Sequence, residues 1–444
     1  MTLDRVALFP GQGAFRDGDP AQLATRHPQV REVFAEIDHV AQRLGAHEIG
    51  PHLLADDPRP VGQLVTDAPD VLQLAIYGTS LAVWSILRDR GERSGVLAGH
   101  SSGEIAALVA AGAFTIAEGA EIVVHRSAVL AELAPPAGGM LALACDAERA
   151  RVVLDAVGNP LVAIAVRNGP QQVVISGPVD ALEVVTGVAG ALSIVTTPLT
   201  VAYPFHSPLL AQAVPEFAAR IRHIEPRPLR SLVFSPILGR FHRADDALGE
   251  HVASALVAPV GFDRALRRLS HAGALTFVEC ATAGTLTRIV KRCLPDASAL
   301  PALTVTELDQ IPVREARASV AEPHSAVAPM RALASVSAEE DPPAAVPSSP
   351  ALPRAEAVPV GGRDALFGEL VAMYAQALEY PPEVFSENVK LEEDLGIDSV
   401  KQTELMARAA ELYGLPEPSA EFRLGDYDTM AKLVDYVWSN RIAA

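Results

Sequence analysis

Over residues 1–304, short apolar runs alternate with longer stretches of helical spacing. Arg5–Phe9, Ser94–Ala98, Gln172–Ser176 and Leu232–Ser235 read as strands. Val71–Leu87 and Gly103–Ala111 read as helices. Strand, turn and helix in repetition predict an α/β domain. The pattern stops near residue 305. From Val305 to Gly362 the chain is rich in Pro, Ala and Ser, as in Asp341-Pro342-Pro343-Ala344 and Ser348-Ser349-Pro350, and has no aromatic residue. That composition predicts a linker, partly extended by its prolines. Helical spacing returns from Arg363: Leu366, Leu370, Met373, Tyr374 and Leu378, then Val400 and Leu405, then Met430, Leu433, Val434 and Val437. With no strand pattern, residues 363–444 predict a small bundle of three or four helices.

Composition narrows the function. Half of the 444 residues (49%) are apolar, enough for a large core. Lys plus Arg number 36 against 54 Asp plus Glu, a formal net charge of −18, which argues against a nucleic-acid binder. No run of 18 apolar residues suggests a membrane span, and Met1–Phe15 lacks the apolar stretch of a signal peptide. Cys145, Cys280 and Cys293 are too few and too scattered for a disulfide framework or a cysteine metal site. The expectation is a cytoplasmic protein with no metal, no nucleic acid and no membrane partner.

Two serines carry candidate chemistry. Gly99-His100-Ser101-Ser102-Gly103 lies between an apolar strand and a helix and fits G-x-S-x-G. A serine on such a turn has a strained backbone and an exposed Oγ, and the next amide sits at a helix N-terminus, where it can stabilise an oxyanion. Ser101 is therefore the candidate nucleophile and Ser102 a candidate oxyanion donor. His206, in the proline-bracketed loop Tyr203-Pro204-Phe205-His206-Ser207-Pro208, is a candidate base, and a packed loop histidine is the plain alternative. His100 reads as a structural turn residue. Gln12, between two glycines after the first strand, is either a bare turn or a second oxyanion donor. Arg126 lies in an apolar helical stretch, where burial would be costly, and reads equally as a snorkelling surface residue. Asn168 precedes Gly169 as a turn pair. Ser399, in Leu395-Gly396-Ile397-Asp398-Ser399-Val400-Lys401, stands where a helix would begin, and Asp398 or Ser399 would serve simply as its cap.

In order along the chain, FPGQG, GHSSGE, an arginine 25 residues after the serine, VRNGPQQVVISGP and YPFHSP together resemble the malonyl-CoA:acyl carrier protein transacylases and the acyltransferase domains of modular polyketide synthases. The resemblance covers residues 4–304. It implies an α/β hydrolase-like core with an inserted ferredoxin-like subdomain at about 135–200. It implies Ser101 as nucleophile, His206 as general base and then acid, and an oxyanion hole from the Gln12 and Ser102 amides. A backbone carbonyl, expected near Pro259-Val260-Gly261-Phe262, would orient the histidine in place of a third acid. That suits thioester chemistry, because a thiolate leaves readily. Arg126 would hold the free carboxylate of a malonyl-type acyl group. Asn168 would lie near the active site.

Malonyl-selective members resemble His-Ala-Phe-His before the catalytic histidine, and methylmalonyl-selective ones Tyr-Ala-Ser-His. Here Tyr203-Pro204-Phe205-His206 mixes the two, and the bulk of Phe205 favours malonyl. Two departures stand out. Arg126-Ser127-Ala128-Val129-Leu130 replaces the usual Arg-Gly-Arg-x-Met, and Glu279-Cys280-Ala281-Thr282 replaces Glu-x-Gly-Pro. Residues 363–440 resemble acyl carrier proteins, which implies a four-helix carrier with 4′-phosphopantetheine on Ser399, attached by a phosphopantetheinyl transferase.

The whole chain then reads as an acyltransferase domain (1–304), a linker (305–362) and a carrier domain (363–444). It would move a malonyl-type extender from its coenzyme A thioester through an acyl-serine to the carrier's pantetheine arm. It would then pass the unit to a ketosynthase or other synthase protein. About 55 flexible residues span ~40 Å r.m.s., enough for self-loading at an effective concentration near ~1 mM. The rival readings are an acyl hydrolase that clears stalled carriers, an acyltransferase for an unusual C2-substituted extender, and a non-catalytic docking scaffold.

Overall fold

The computed structural model describes residues 4–12, 17–55, 58–133, 135–299, 362–378 and 429–440, together with Phe385, Leu391, Leu405, Met406, Ala409, Tyr413 and Leu415. The chain falls into two compact units, Met1–Glu339 and Glu340–Ala444.

The first unit is built on a six-stranded sheet ordered β11-β10-β1-β2-β7-β8. Its members are β1 (Arg5–Phe9), β2 (Val96–Gly99), β7 (Leu232–Ser235), β8 (Arg240–Phe241), β10 (Thr276–Glu279) and β11 (Ser298–Ala299). All pair in parallel except the β7–β8 hairpin. Parallel strands are buried on both faces, which explains why RVALF and VLAG read as continuous apolar runs. The packed helices include α1 (Asp19–Arg26), α2 (Pro28–Leu44), α3 (Gly50–Leu53), α4 (Val61–Asp67), α5 (Pro69–Asp89), α6 (Gly103–Ala110) and α7 (Ile116–Leu133). By length and composition α5 could cross a membrane, yet 89% of its apolar window is buried in this unit, so it is a core helix here. β1 and β2 pair Phe9 with Gly99, so the turns after both strands emerge side by side at the carboxyl edge of the sheet. That edge is where open α/β sheets hold their ligands.

A second sheet is inserted in this unit. β3 (Gly138–Leu143), α8 (Ala147–Val157), β4 (Ala163–Gly169), β5 (Gln172–Pro178), α9 (Val179–Ala191) and β6 (Thr196–Leu199) follow one another as βαββαβ. The sheet order β6-β3-β5-β4 is that of a ferredoxin-like subdomain, with its own core of Leu141, Val173, Ile175 and Val185. The chain then runs through α10 (Ala213–Ile221) and α11 (Leu248–Ser254) to β9 (Val260–Gly261), which joins β4 in parallel, and on to α12 (Phe262–His271). Among the described residues, the last helix of this unit is α13 (Thr285–Cys293). Just before the departure at Ala281-Thr282, the retained Glu279 has a structural role. Its buried carboxylate accepts from the amides of Leu286 and Thr287 and from Thr287 Oγ1, closing the first turn of α13.

The second unit contains helices Gly362–Leu378 and Met430–Asn440. Leu366, Leu370 and Tyr374 of one are buried with Leu433, Val434 and Val437 of the other, alongside Phe385, Leu391 and Leu405. Ser399, Val400, the remaining helices of the expected bundle and linker residues 305–361 lie outside the described residues.

Candidate active site

Ser101 sits on the turn between β2 and α6 with φ 57°, a left-handed backbone that a serine rarely adopts. The flanking glycines make the turn possible. A Cβ on Gly99 would lie 2.2 Å from the Glu104 backbone, and one on Gly103 would lie 2.0 Å from the Phe9 carbonyl oxygen. Gly11, in the turn after β1, would meet the His100 carbonyl at 3.0 Å. These close approaches bring the Gly11–Gln12 turn against the Ser101 turn. Gln12, Ser101 and Ser102 line one cavity of about 330 Å³, together with His206, Asn168 and Arg126.

His206 also has a left-handed backbone, φ 57°. Its Nε2 lies 2.6 Å from Ser101 Oγ, and its Nδ1 lies 2.8 Å from the Ala258 carbonyl oxygen. A carbonyl only accepts, so Nδ1 carries the proton and Nε2 presents its lone pair to the serine hydroxyl. The orienting carbonyl belongs to Ala258, one residue before the stretch at Pro259–Phe262 where it was expected. Burial is the main force on this ring. Although the Ala258 bond opposes it, burial together with the nearby Arg126 charge pushes the His206 pKa down to about 4. The imidazole is therefore neutral at pH 7, the state a general base needs.

Arg126, on α7, is not a surface residue. It is buried, its Nη1 donates to Gln73 Oε1 on α5 at 3.0 Å, and its guanidinium stacks 4.4 Å from the Phe205 ring centre. Among the described residues no carboxylate pairs with it. Burial lowers its pKa to about 10, which still leaves it charged at neutral pH. A buried cation without a counter-ion is costly, so the site is poised for an anion.

Phe205 is buried between two cavities, the one holding Ser101 and a neighbouring one of about 460 Å³. Tyr203 lines only the second of these, its ring edge-on to Phe205 at 5.9 Å. Asn168 accepts from His100 Nε2 at 2.8 Å and donates to Gln172, which makes His100 more than a turn residue: it ties the Ser101 turn to β4. Sequence reasoning passed over Gln73, Ala258 and a buried cluster of Glu104, His242 and His251. It also passed over Arg288 and Arg292 of α13, which line the Ser101 cavity. Only the two arginines carried a signal, two cations one helical turn apart in the last segment of the domain.

The family described as "Acyl transferase domain" matches residues 6–330, and the one described as "Phosphopantetheine attachment site" matches residues 368–437. The spectinabilin polyketide synthase system protein NorA' of Streptomyces orinoci is 32% identical over 326 residues. That match takes in 72% of this chain and 9% of the relative, so the chain spans about a tenth of that protein's length. Among solved structures, malonyl-CoA:acyl carrier protein transacylase from Xanthomonas oryzae superposes with TM-score 0.63 at 26% identity, covering 70% of this chain and 98% of its own. A malonyl transacylase solved in complex with a type II polyketide synthase acyl carrier protein gives TM-score 0.64 at 26% identity, covering 69% and 98%.

Proposed function

This chain belongs to the acyltransferases of the malonyl transacylase and polyketide synthase family, with a phosphopantetheine attachment domain, and from that membership we propose that it transfers a malonyl unit from coenzyme A to its own carrier. Ser101 Oγ attacks the thioester carbonyl while His206 Nε2 takes its proton. The Gln12 and Ser102 amides hold the oxyanion of the tetrahedral intermediate. The C–S bond breaks, and His206 returns the proton to the departing coenzyme A thiol. A pantetheine thiol on Ser399 then attacks the acyl-serine, again with His206 as base, and the serine is regenerated. Of the group the carrier would hold, 4′-phosphopantetheine, the thiol is the part that accepts the acyl unit. Ser399, which would carry it, lies outside the described residues.

The observation that carries this reading is Arg126. A buried guanidinium without a carboxylate partner among the described residues, lining the same cavity as Ser101, suits the free carboxylate of a malonyl group. Water as the final acceptor would have no use for that charge on simple acyl groups, which weighs against the hydrolase reading. Arg288 and Arg292 in the same cavity suit the phosphates of coenzyme A.

The test is to incubate the phosphopantetheinylated protein with malonyl-, methylmalonyl- or acetyl-CoA and take peptide mass spectra at short times. A malonyl adduct on the Ser101 peptide, formed at least about tenfold faster than the acetyl one, is the expected result. Free malonic acid without an adduct on either serine would replace the transferase with a hydrolase.

A second reading, for a C2-substituted extender, has one observation in its favour. The cavity of about 460 Å³ beyond Phe205 adjoins Arg126 and is lined by Tyr203 and by Ala128, where the family's usual second arginine is missing. In the same assay, methylmalonyl or a bulkier unit outrunning malonyl would favour it.

A further inference from the structure

Glu104, His242 and His251 form a buried cluster that the proposed chemistry does not use. Glu104 Oε1 accepts from His251 Nε2 at 2.8 Å and from His242 Nε2 at 2.9 Å. Their side chains are 4%, 8% and 0% exposed, in the order Glu104, His251 and His242. His242 is backed in turn by Asp246, which Arg240 holds in a two-pronged ion pair. Burial alone would raise the Glu104 carboxyl, but the two imidazole hydrogen bonds outweigh it and hold the pKa at about 2.

The position of the cluster matters more than its charge. On one side Glu104 is in the first turn of α6, and its amide donates to the Ser101 carbonyl at 3.1 Å, so the carboxylate is anchored one turn from the nucleophile. On the other side His251 is on α11. The next turn of that chain supplies both backbone groups that fix the base: the Leu256 carbonyl accepts from the His206 amide, and the Ala258 carbonyl accepts from His206 Nδ1, each at 2.8 Å. Ser254 Oγ and the Ala255 amide both bond the His251 carbonyl, so the path from His251 to Ala258 is short and hydrogen-bonded throughout. The Glu104–His251 bond is thus a direct side-chain link between the segment that carries Ser101 and the segment that holds His206. A hydroxyl and a lone pair 2.6 Å apart tolerate little drift between those segments.

We propose that Glu104 and His251 are positioning residues, a buried strap that sets the Ser101–His206 geometry through α6 and α11. The strap deepens the transferase reading, which supplies the task the dyad performs. It is a claim about the dyad, whatever acyl group the enzyme takes.

The test reads the dyad directly. The full chain is treated with a fluorophosphonate, whose phosphorus bonds to an activated serine Oγ with loss of fluoride. Labelling of the Ser101 peptide is followed in wild type, His251→Leu and His251→Gln. Leu removes the N–H donor, and Gln puts one back. The expectation is labelling slowed at least about tenfold in His251→Leu, and restored to within about threefold of wild type in His251→Gln. In acyl-CoA turnover, His251→Leu should lower kcat and leave KM unchanged, because Arg126 and the cavity are untouched. Should His251→Leu fail to fold, Glu104→Gln stands in, keeping the shape and one acceptor but not the charge. At least about threefold slower labelling supports the strap, and wild-type labelling overturns it. His251→Leu labelling at the wild-type rate, or His251→Gln as slow as His251→Leu, overturns it too. So does one equivalent of tightly held zinc in the purified protein, since the same three ligand atoms would then serve an ion instead of a hydrogen-bonded bridge. A wild type that takes the fluorophosphonate on Ser101 but no acyl-CoA overturns the transferase reading and leaves the strap standing.

Discussion

At the scale of single residues, the site sets two charges against each other. His206 is kept neutral by burial and by the Arg126 charge, and Arg126 is buried with no carboxylate partner among the described residues. The first fact fixes a pH profile. With its pKa near 4, His206 stays deprotonated through the neutral range, so acylation of Ser101 should be flat from about pH 6 to pH 8. Its acid limb should fall about where His206 titrates, well below the ordinary histidine range. A stopped-flow pH series with a limb centred near pH 6.5 would contradict this. Stability follows the same sign. The unfolded histidine binds its proton near the ordinary value of 6.5 and the folded one only near 4, so acid favours the unfolded chain as pH falls from about 6.5 to 4. The second fact predicts a split between stability and activity. Arg126→Met replaces a buried cation that has no counter-ion among the described residues with an apolar side chain of similar length. It should leave the melting temperature unchanged or raised while cutting malonyl transfer by about 100-fold or more and sparing acetyl transfer. Differential scanning fluorimetry beside acyl-CoA turnover measures both. Arg126 was legible in the sequence as a costly cation in an apolar helix. Its partner Gln73 was not, because it lies 53 residues away on another helix and nothing local marks it.

At the scale of elements, the Ser101 turn is a packing solution before it is a chemical one. Strand β2 must end beside β1, helix α6 must start at once, and the chain between them has room only for glycine at positions 99 and 103. Gly103→Ala would drive a methyl into the Phe9 carbonyl, with no flexible side chain to yield. It should destabilise the fold by about 2 kcal/mol or more, read as a shift in the denaturant midpoint. Gly62→Ala, where nothing lies within 4 Å of the added carbon, is the matching control. Such short-range constraints are why the turn, the strands before it and the helix after it could be read from the sequence. The strands Arg5–Phe9 and Leu232–Ser235 fall as expected, while the one expected at Ser94–Ala98 begins at Val96 and runs to Gly99, the stretch that pairs with Val6–Phe9. Long-range closure was not readable. His242 and His251 reach Glu104 across 138 and 147 residues, and the carbonyl that orients His206 comes from Ala258 because β9 has to join β4. Tyr203 shows the limit within a single motif. It sits three residues from His206, which lines the Ser101 cavity, yet of the two cavities it lines only the neighbouring one.

At the scale of the whole molecule, the chain joins an acyltransferase unit to a unit with a phosphopantetheine attachment site. If the first loads the second within one chain, the step is first order. Its rate should then hold constant when the protein is diluted about tenfold, whereas loading between chains would slow in proportion. On the proposed mechanism the acyl group passes through Ser101 on its way to Ser399. That route is tested most directly by charging the protein before its arm is attached, removing free malonyl-CoA, and then adding coenzyme A with a phosphopantetheinyl transferase. A malonyl mass on the Ser101 peptide should disappear as the same mass appears on the Ser399 peptide, and Ser101→Ala should show neither. Malonyl on the Ser399 arm of Ser101→Ala, or a Ser101 adduct that the new thiol never takes up, would contradict this mechanism.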